Sequence, residues 1–236
     1  MMKIASVHVN KALFLLWLIP SIALGTFPSD DFDSYSTGDL NTLNGGTGWS
    51  AAWSCGVDFD VSTAGTPSPN SGANHIRTPA TANDHTCQRA MTENTTNDQV
   101  ISIFEARSVT GADVFQSRLD KAAAAHTIWQ LGATANIKIY DNLTLTNVGT
   151  YSADTYVRIE IKVNYTNKTN AMAIDGGSFG TAYAFYNGST ATGSDNYFMG
   201  FNPNSNGTIT VDTISDSTVT PSSQSVKEDD GWWLVF

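Results

Sequence analysis

Residues 156–177 read YVRIEIKVNYTNKTNAMAIDGG, and Val157, Ile159, Ile161, Val163 and Tyr165 alternate strictly with Arg158, Glu160, Lys162 and Asn164. A period of two places every apolar side chain on one face, which predicts a half-buried antiparallel strand. The polar run 166–169 breaks the pattern, 171–174 resumes an extended segment, and Asp175-Gly176 supplies a turn in which glycine takes a positive φ without a Cβ clash. Two strands bury too little apolar surface to stand alone, so this hairpin belongs to a larger sheet with a second layer over its apolar face.

A second alternation starts at Trp53, where Trp53, Cys55, Val57, Phe59 and Val61 interleave with Ser54, Gly56, Asp58 and Asp60. Further strands are predicted at 86–92, 99–109, 113–119, 127–140, 181–186, 196–201 and 207–214. Residues 64–75 are Pro, Gly and Asn punctuation and are predicted as loop. Residues 120–126, with Ala122 to Ala125 in a row, are predicted as a loop with one local helical turn, since an isolated helix that short is marginal in water. The run Gly45-Gly46-Thr47-Gly48 lacks the lysine of a phosphate loop and is predicted as a turn. Many short strands with regular turns and no strand–helix–strand alternation indicate an antiparallel sandwich or barrel.

The 236 residues fit one sandwich domain after a leader, and only 14% are charged, with Thr, Asn, Ser and Gly supplying the polarity. The formal net charge of −10, with no cluster of Lys or Arg, argues against nucleic acid and against an anionic membrane surface. At the N-terminus, Lys3 and Lys11 precede an apolar run at 12–24, and Ala23-Leu24-Gly25 places small residues at a cleavage site. The pattern predicts a signal peptide over residues 1–25, a domain over 26–219 and a tail over 220–236, with no membrane insertion after cleavage and secretion or display at the cell surface. In an oxidising compartment the two cysteines, Cys55 and Cys87, are expected as a disulfide; His85 beside Cys87 is a weak metal signal.

The opening DDFDSYSTGDLNTLNGGTGW, the strand YVRIEIKVNY followed by AMAIDGG, and the closing NYFMGFNPNSNGTITVDTISD resemble the concanavalin A-like, laminin-G-like jelly-roll domains of many secreted proteins, over roughly residues 29–217. The resemblance implies an all-β, two-sheet antiparallel jelly-roll sandwich whose first and last strands lie side by side, here the segment around Phe32 and that around 209–214. Because this architecture hosts lectins, glycosidases, lyases and adhesive domains alike, function rests on the site.

Retaining glycosidases need two carboxylates about 5 to 5.5 Å apart. The Glu-x-Asp-x-Glu pattern of the glucanases in this superfamily is absent, and Asp58-x-Asp60 fits a solvated strand face. A lyase needs a Tyr or His base beside an Arg, Gln or Asn, for which Arg118, His126 and Gln130 are candidates. Sugar binding needs aromatic platforms ringed by amides and hydroxyls, for which Trp49, Trp129, Tyr183, Tyr186, Asn187 and Tyr197 are candidates, with Asp195 and Asn196 nearby. Asp31 near the first strand and Asp212 near the last are candidate ligands of a structural calcium, which the resemblance also implies. Sequons occur at Asn94, Asn142, Asn164, Asn167, Asn187 and Asn206, and the tail closes on the apolar GWWLVF. The sequence favours a non-catalytic protein that binds a polysaccharide or glycan-bearing surface, ahead of a glycosidase or lyase and of a structural or adhesive surface protein.

Overall fold

The computed structural model describes residues 27–56, 59–78, 86–108, 114–132, 134–201 and 208–216. The expected leader and tail lie outside them, as do Val57, Asp58, His85 and Asn206. The strands are β1 (Gly38–Asp39), β2 (Ser54–Cys55), β3 (Asp60–Ser62), β4 (His75–Arg77), β5 (Thr86–Asn94), β6 (Gln99–Arg107), β7 (Phe115–Lys121), β8 (Ala124–Leu131), β9 (Asn136–Asp141), β10 (Thr144–Thr150), β11 (Val157–Asn164), β12 (Thr169–Ile174), β13 (Tyr183–Ala184), β14 (Ser194–Phe201) and β15 (Ile209–Asp216). A single 3-10 turn, η1 (Tyr186–Gly188), is the one helical element among the described residues.

The strands form two antiparallel sheets, one of eight in the order β1-β3-β4-β15-β6-β11-β12-β13 and one of seven in the order β10-β9-β8-β7-β14-β5-β2. The architecture is the predicted jelly-roll sandwich. β11 behaves as its alternation demands: Val157, Ile159, Ile161 and Val163 are buried while Arg158, Glu160, Lys162 and Asn164 face outward and half-exposed. It pairs with β6 on one side and β12 on the other. The seven-stranded sheet supplies the facing half of the core through Met91, Leu119, Trp129, Leu131, Ile137, Ile139, Tyr197 and Met199.

The first and last segments meet as the resemblance implied, though as one bridge: Asp30 and Ile214 exchange backbone hydrogen bonds of 2.8 and 2.9 Å. At Gly46, φ is 69° and a Cβ would collide with the Ser29 carbonyl, so the turn predicted there requires glycine. Cys55 and Cys87 are cross-strand partners and form the expected disulfide.

Five details differ from the sequence reading. The alternation from Trp53 to Val61 is two strands in different sheets, because the chain crosses from β2 to β3 while Trp53, Phe59 and Val61 all keep their inward phase. The expected helical turn at 120–126 is a tight hairpin turn, with Ala122 and Ala123 at φ of 51° and 63°. The long strand expected at 127–140 is β8 and β9, and the loop expected at 64–75 ends in β4. β10, unforeseen in the sequence, forms one edge of the seven-stranded sheet.

Candidate functional site

Register fixes which side chains the seven-stranded sheet turns away from the core. Cys87, Arg89, Met91, Ser117, Leu119, Trp129, Tyr197 and Met199 point inward and are fully or nearly fully buried. Their neighbours therefore line the outer face. One row runs Ser54, Gln88, Phe198, Arg118, Ile128 across β2, β5, β14, β7 and β8, each the Cα partner of the next. A row on one side runs Thr86, Gly200, Gln116, Gln130, Lys138. The row on the other side runs Ala90, Asn196, Asp120, Ala125.

The centre of this face is the Arg118 guanidinium, whose Cζ lies 3.8 Å over the Phe198 ring. Its Nε is 3.0 Å from one Asp120 carboxylate oxygen and donates to the other at 3.2 Å. Asp120 is 1% exposed and Arg118 28%. Burial raises the Asp120 pKa above its ordinary value against the pull of Arg118. Paired amides flank the centre: Gln130 donates to Gln116 at 3.3 Å, and Asn196 to Gln88 at 3.3 Å. At one rim Lys121 is drawn to Glu93 and Asp195, at 2.8 and 3.2 Å. At the other, Tyr140 of β9 meets Tyr186 of η1 edge-on at 5.0 Å, with Leu145 of β10 as its cross-strand partner.

The sequence candidates fall on both sides of this sheet. Tyr186 and exposed Asn187 reach the rim of the outer face, where the Asn187 N–H points to the Asn142 carbonyl at 3.4 Å. Tyr183 lies on β13, at an edge of the opposite sheet. Trp129 and Tyr197 are corrected: both are 0% exposed, because the alternation of β8 and β14 turns them into the core. Trp49 is half-buried at the core margin, its indole donating to the Ser29 carbonyl at 3.2 Å and its ring 4.7 Å from the Arg89 guanidinium. Trp129 and Tyr197 therefore offer no ring to the outer face, and Trp49 is bridged to the inward-facing Met91.

Of the lyase candidates, Arg118 and Gln130 share the outer face and His126 does not. Leu119 pairs with Thr127 and Asp120 with Ala125, so His126 is the extra residue of a β-bulge and turns inward. It is 0% exposed, with Ser194 Oγ at 2.9 Å and the Phe185 ring at 4.9 Å. Burial pushes its pKa down to about 4, so the imidazole is neutral at pH 7.

The two acidic candidates for calcium have separate engagements. Asp31 is exposed and accepts the Asp33 N–H at 3.2 Å. Asp212 is fully buried and accepts from Asn70 N–H, Ser71 N–H, Ser71 Oγ and Thr213 Oγ1 at 2.7, 3.2, 2.7 and 2.8 Å, which pins the loop before β4. Among the described residues no group of three or more His, Cys, Asp or Glu side chains converges as a metal site would require.

Sequence reasoning missed Phe198, Gln116, Gln88 and Tyr140. Phe198 alternates with Tyr197 on β14, and polarity alone assigns the more polar ring to the surface, which is the wrong phase here.

No established family profile matches the chain, and no curated protein matches it in sequence. Solved structures do match in shape. A sialidase superposes with a TM-score of 0.59 at 10% identity over 84% of this chain and 19% of its own. A Bacillus licheniformis β-glucanase superposes with a TM-score of 0.50 at 10% identity, over 81% of this chain and 97% of its own. The binding domain of botulinum neurotoxin serotype D does so with a TM-score of 0.50 at 10% identity, over 72% and 44%. The chain spans about a fifth of the sialidase and less than half of the toxin domain. At this identity the likeness shows the fold: two antiparallel sheets in the concanavalin A-like jelly-roll arrangement.

Proposed function

We propose that this chain is a secreted protein that binds a polysaccharide or glycan on the outer face of its seven-stranded sheet, without catalysis. The observation that carries the reading is the central row of that face. A guanidinium seated 3.8 Å over the Phe198 ring lies between two amide pairs, a planar donor flanked by the directional hydrogen-bonding groups that sugars require. The β-glucanase and the sialidase that share the fold are named for action on carbohydrates, which supports a glycan as the ligand class.

The same face argues against hydrolysis. Its three rows carry one carboxylate, Asp120, and that one is tied to Arg118, whereas glycoside hydrolysis uses a pair. Glu93 and Asp195, the acids at the rim, are both drawn to Lys121. A lyase on this face would need a base that His126, facing inward, does not provide.

The test is retention of the purified protein on a panel of insoluble and gel-embedded polysaccharides, with released reducing ends and unsaturated sugar products assayed in the same mixtures. Retention without product supports the reading, and steady product release overturns the non-catalytic part of it. Failure to bind any polysaccharide or glycan surface overturns it altogether and puts a structural or adhesive role ahead.

A further inference from the structure

We infer that the ligand of the outer face is an acidic glycan, whose carboxylate or sulfate group docks on the terminal nitrogens of Arg118. This rests on the glycan-binding reading and narrows it to a class. The guanidinium is held from two directions, by the Phe198 ring beneath it and by Asp120 at its Nε. Both contacts leave the Nη1 and Nη2 fork without a hydrogen-bond partner among the described residues, on a side chain that is 28% exposed. A fixed planar fork with two free donor nitrogens matches two oxygens of a carboxylate or sulfate, and its orientation is already set before the ligand arrives. The ring beneath strengthens that preorganisation, because it restricts the guanidinium plane.

The charge of the face supports the same class. The formal net charge of the chain is −10, yet its three outward rows carry two cations, Arg118 and Lys138, and one carboxylate. Lys138 stands beside Gln130, one strand further from Arg118, so the positive groups are spread in the direction across the strands. A polyanion is repelled by the molecule as a whole, so its retention reports a local site rather than bulk attraction. Gln116, half-exposed and two residues from Arg118 on β7, offers an amide for the remaining hydroxyls.

Affinity electrophoresis of the wild-type protein through three polymers of matched length tests this: a neutral glucan, polygalacturonate with carboxylates alone, and dextran sulfate with sulfates alone. The expected result is binding at least ~10-fold tighter to one of the two acidic polymers than to the glucan, which also tells carboxylate from sulfate. Arg118→Gln is expected to lose about 10-fold or more on that polymer, and Arg118→Lys to lose part of it, since lysine keeps the charge without the fork. Lys138→Gln is expected to weaken binding only a few-fold, and thermal melts confirm that each variant is folded. Equal or tighter binding to the glucan, or an Arg118→Gln variant that binds as the wild type does, overturns the acidic-ligand inference and leaves glycan binding standing. No binding to any glycan overturns both.

Discussion

Arg89 and Asp30 form an ion pair of 2.7 Å from which both side chains are wholly excluded from solvent. Arg89 comes from the inner face of β5, and Asp30 from the N-terminal segment bridged to β15, so the pair ties one sheet to the other across the core. The remaining donors of Arg89 are taken by the Ala51 and Gly45 carbonyls, the Asn44 side chain and the Tyr35 hydroxyl, which in turn donates to the same Asp30 oxygen at 2.6 Å. Removing one partner strands the other charge. Arg89→Met is expected to cost about 3 to 5 kcal/mol in urea unfolding, and adding Asp30→Asn to it is expected to recover part of that loss. A double variant no more stable than the single one would show that packing of Trp49 and Trp53 around the guanidinium, not charge, sets the cost.

Two buried titratable groups whose pKa values are shifted in opposite directions by burial predict the shape of the pH profile. The His126 pKa is pushed down to about 4 by burial, against about 6.5 in the unfolded chain. As pH falls below about 6.5 the unfolded chain takes up a proton that the folded state refuses, so stability drops by about 3 kcal/mol on the way to pH 4. Glu105, fully buried beneath Ser117, has its pKa pushed up to about 7 by burial, from an ordinary 4.5. Between those values the unfolded chain releases its proton first, so stability falls as pH rises, again by about 3 kcal/mol. The two slopes oppose each other between about pH 4.5 and 6.5 and are separable by mutation. Urea midpoints measured from pH 4 to 9 should show Glu105→Gln gaining most above pH 7 and His126→Asn losing the acid-side decline. Parallel profiles for wild type and variants would sink both assignments.

The Cys55–Cys87 bond closes a span of 32 residues and holds β2, a strand of two residues, at the edge of its sheet. Loop-closure entropy for a span of that size amounts to about 4 kcal/mol. Reduction, or Cys55→Ala with Cys87→Ala, is therefore expected to lower the thermal midpoint by roughly 8–16 °C without collapse of the sandwich, because β5 keeps its pairing with β14. Calorimetry with and without reductant checks this, and an unchanged midpoint would mean that the unfolded chain gains little freedom from the break.

What the sequence made legible follows from how locally each feature is encoded. β11 declares itself because its two faces differ in polarity at every position, and its burial follows the alternation without exception. On β14 both faces hold rings, Tyr197 inward and Phe198 outward, so the pattern is weak and ring polarity selects the wrong phase. His126 changed faces through one extra residue in β8, a slip that depends on pairing with β7 rather than on its neighbours in sequence. The alanine run that looks helical turns sharply because the hairpin between β7 and β8 demands positive φ at Ala122 and Ala123. The candidate face draws one or two residues from each of several strands, so no contiguous motif announces it. Gln88, Gln116, Gln130 and Asn196 become a set only when register aligns them.

The contrast between an inward ring, Trp129 of β8, and the outward Phe198 of β14 gives the most direct separation of folding from binding. Trp129 is 0% exposed and packs with Tyr197 at 6.4 Å inside the sandwich, so Trp129→Ala is expected to cost about 3 to 5 kcal/mol of stability. Phe198 is half-buried on the outer face, where it carries the Arg118 guanidinium. Phe198→Ala should lose only about 1 kcal/mol of stability, the scale of an exposed cation–π contact with some packing, while glycan retention falls several-fold as the guanidinium loses its support. Equilibrium unfolding and affinity electrophoresis on the same two variants, with Trp129→Ala assayed at a temperature where it is still folded, give the comparison. Weakened retention confined to Phe198→Ala places the ligand on the outer face, whereas retention lost only with Trp129→Ala would move the site off that sheet.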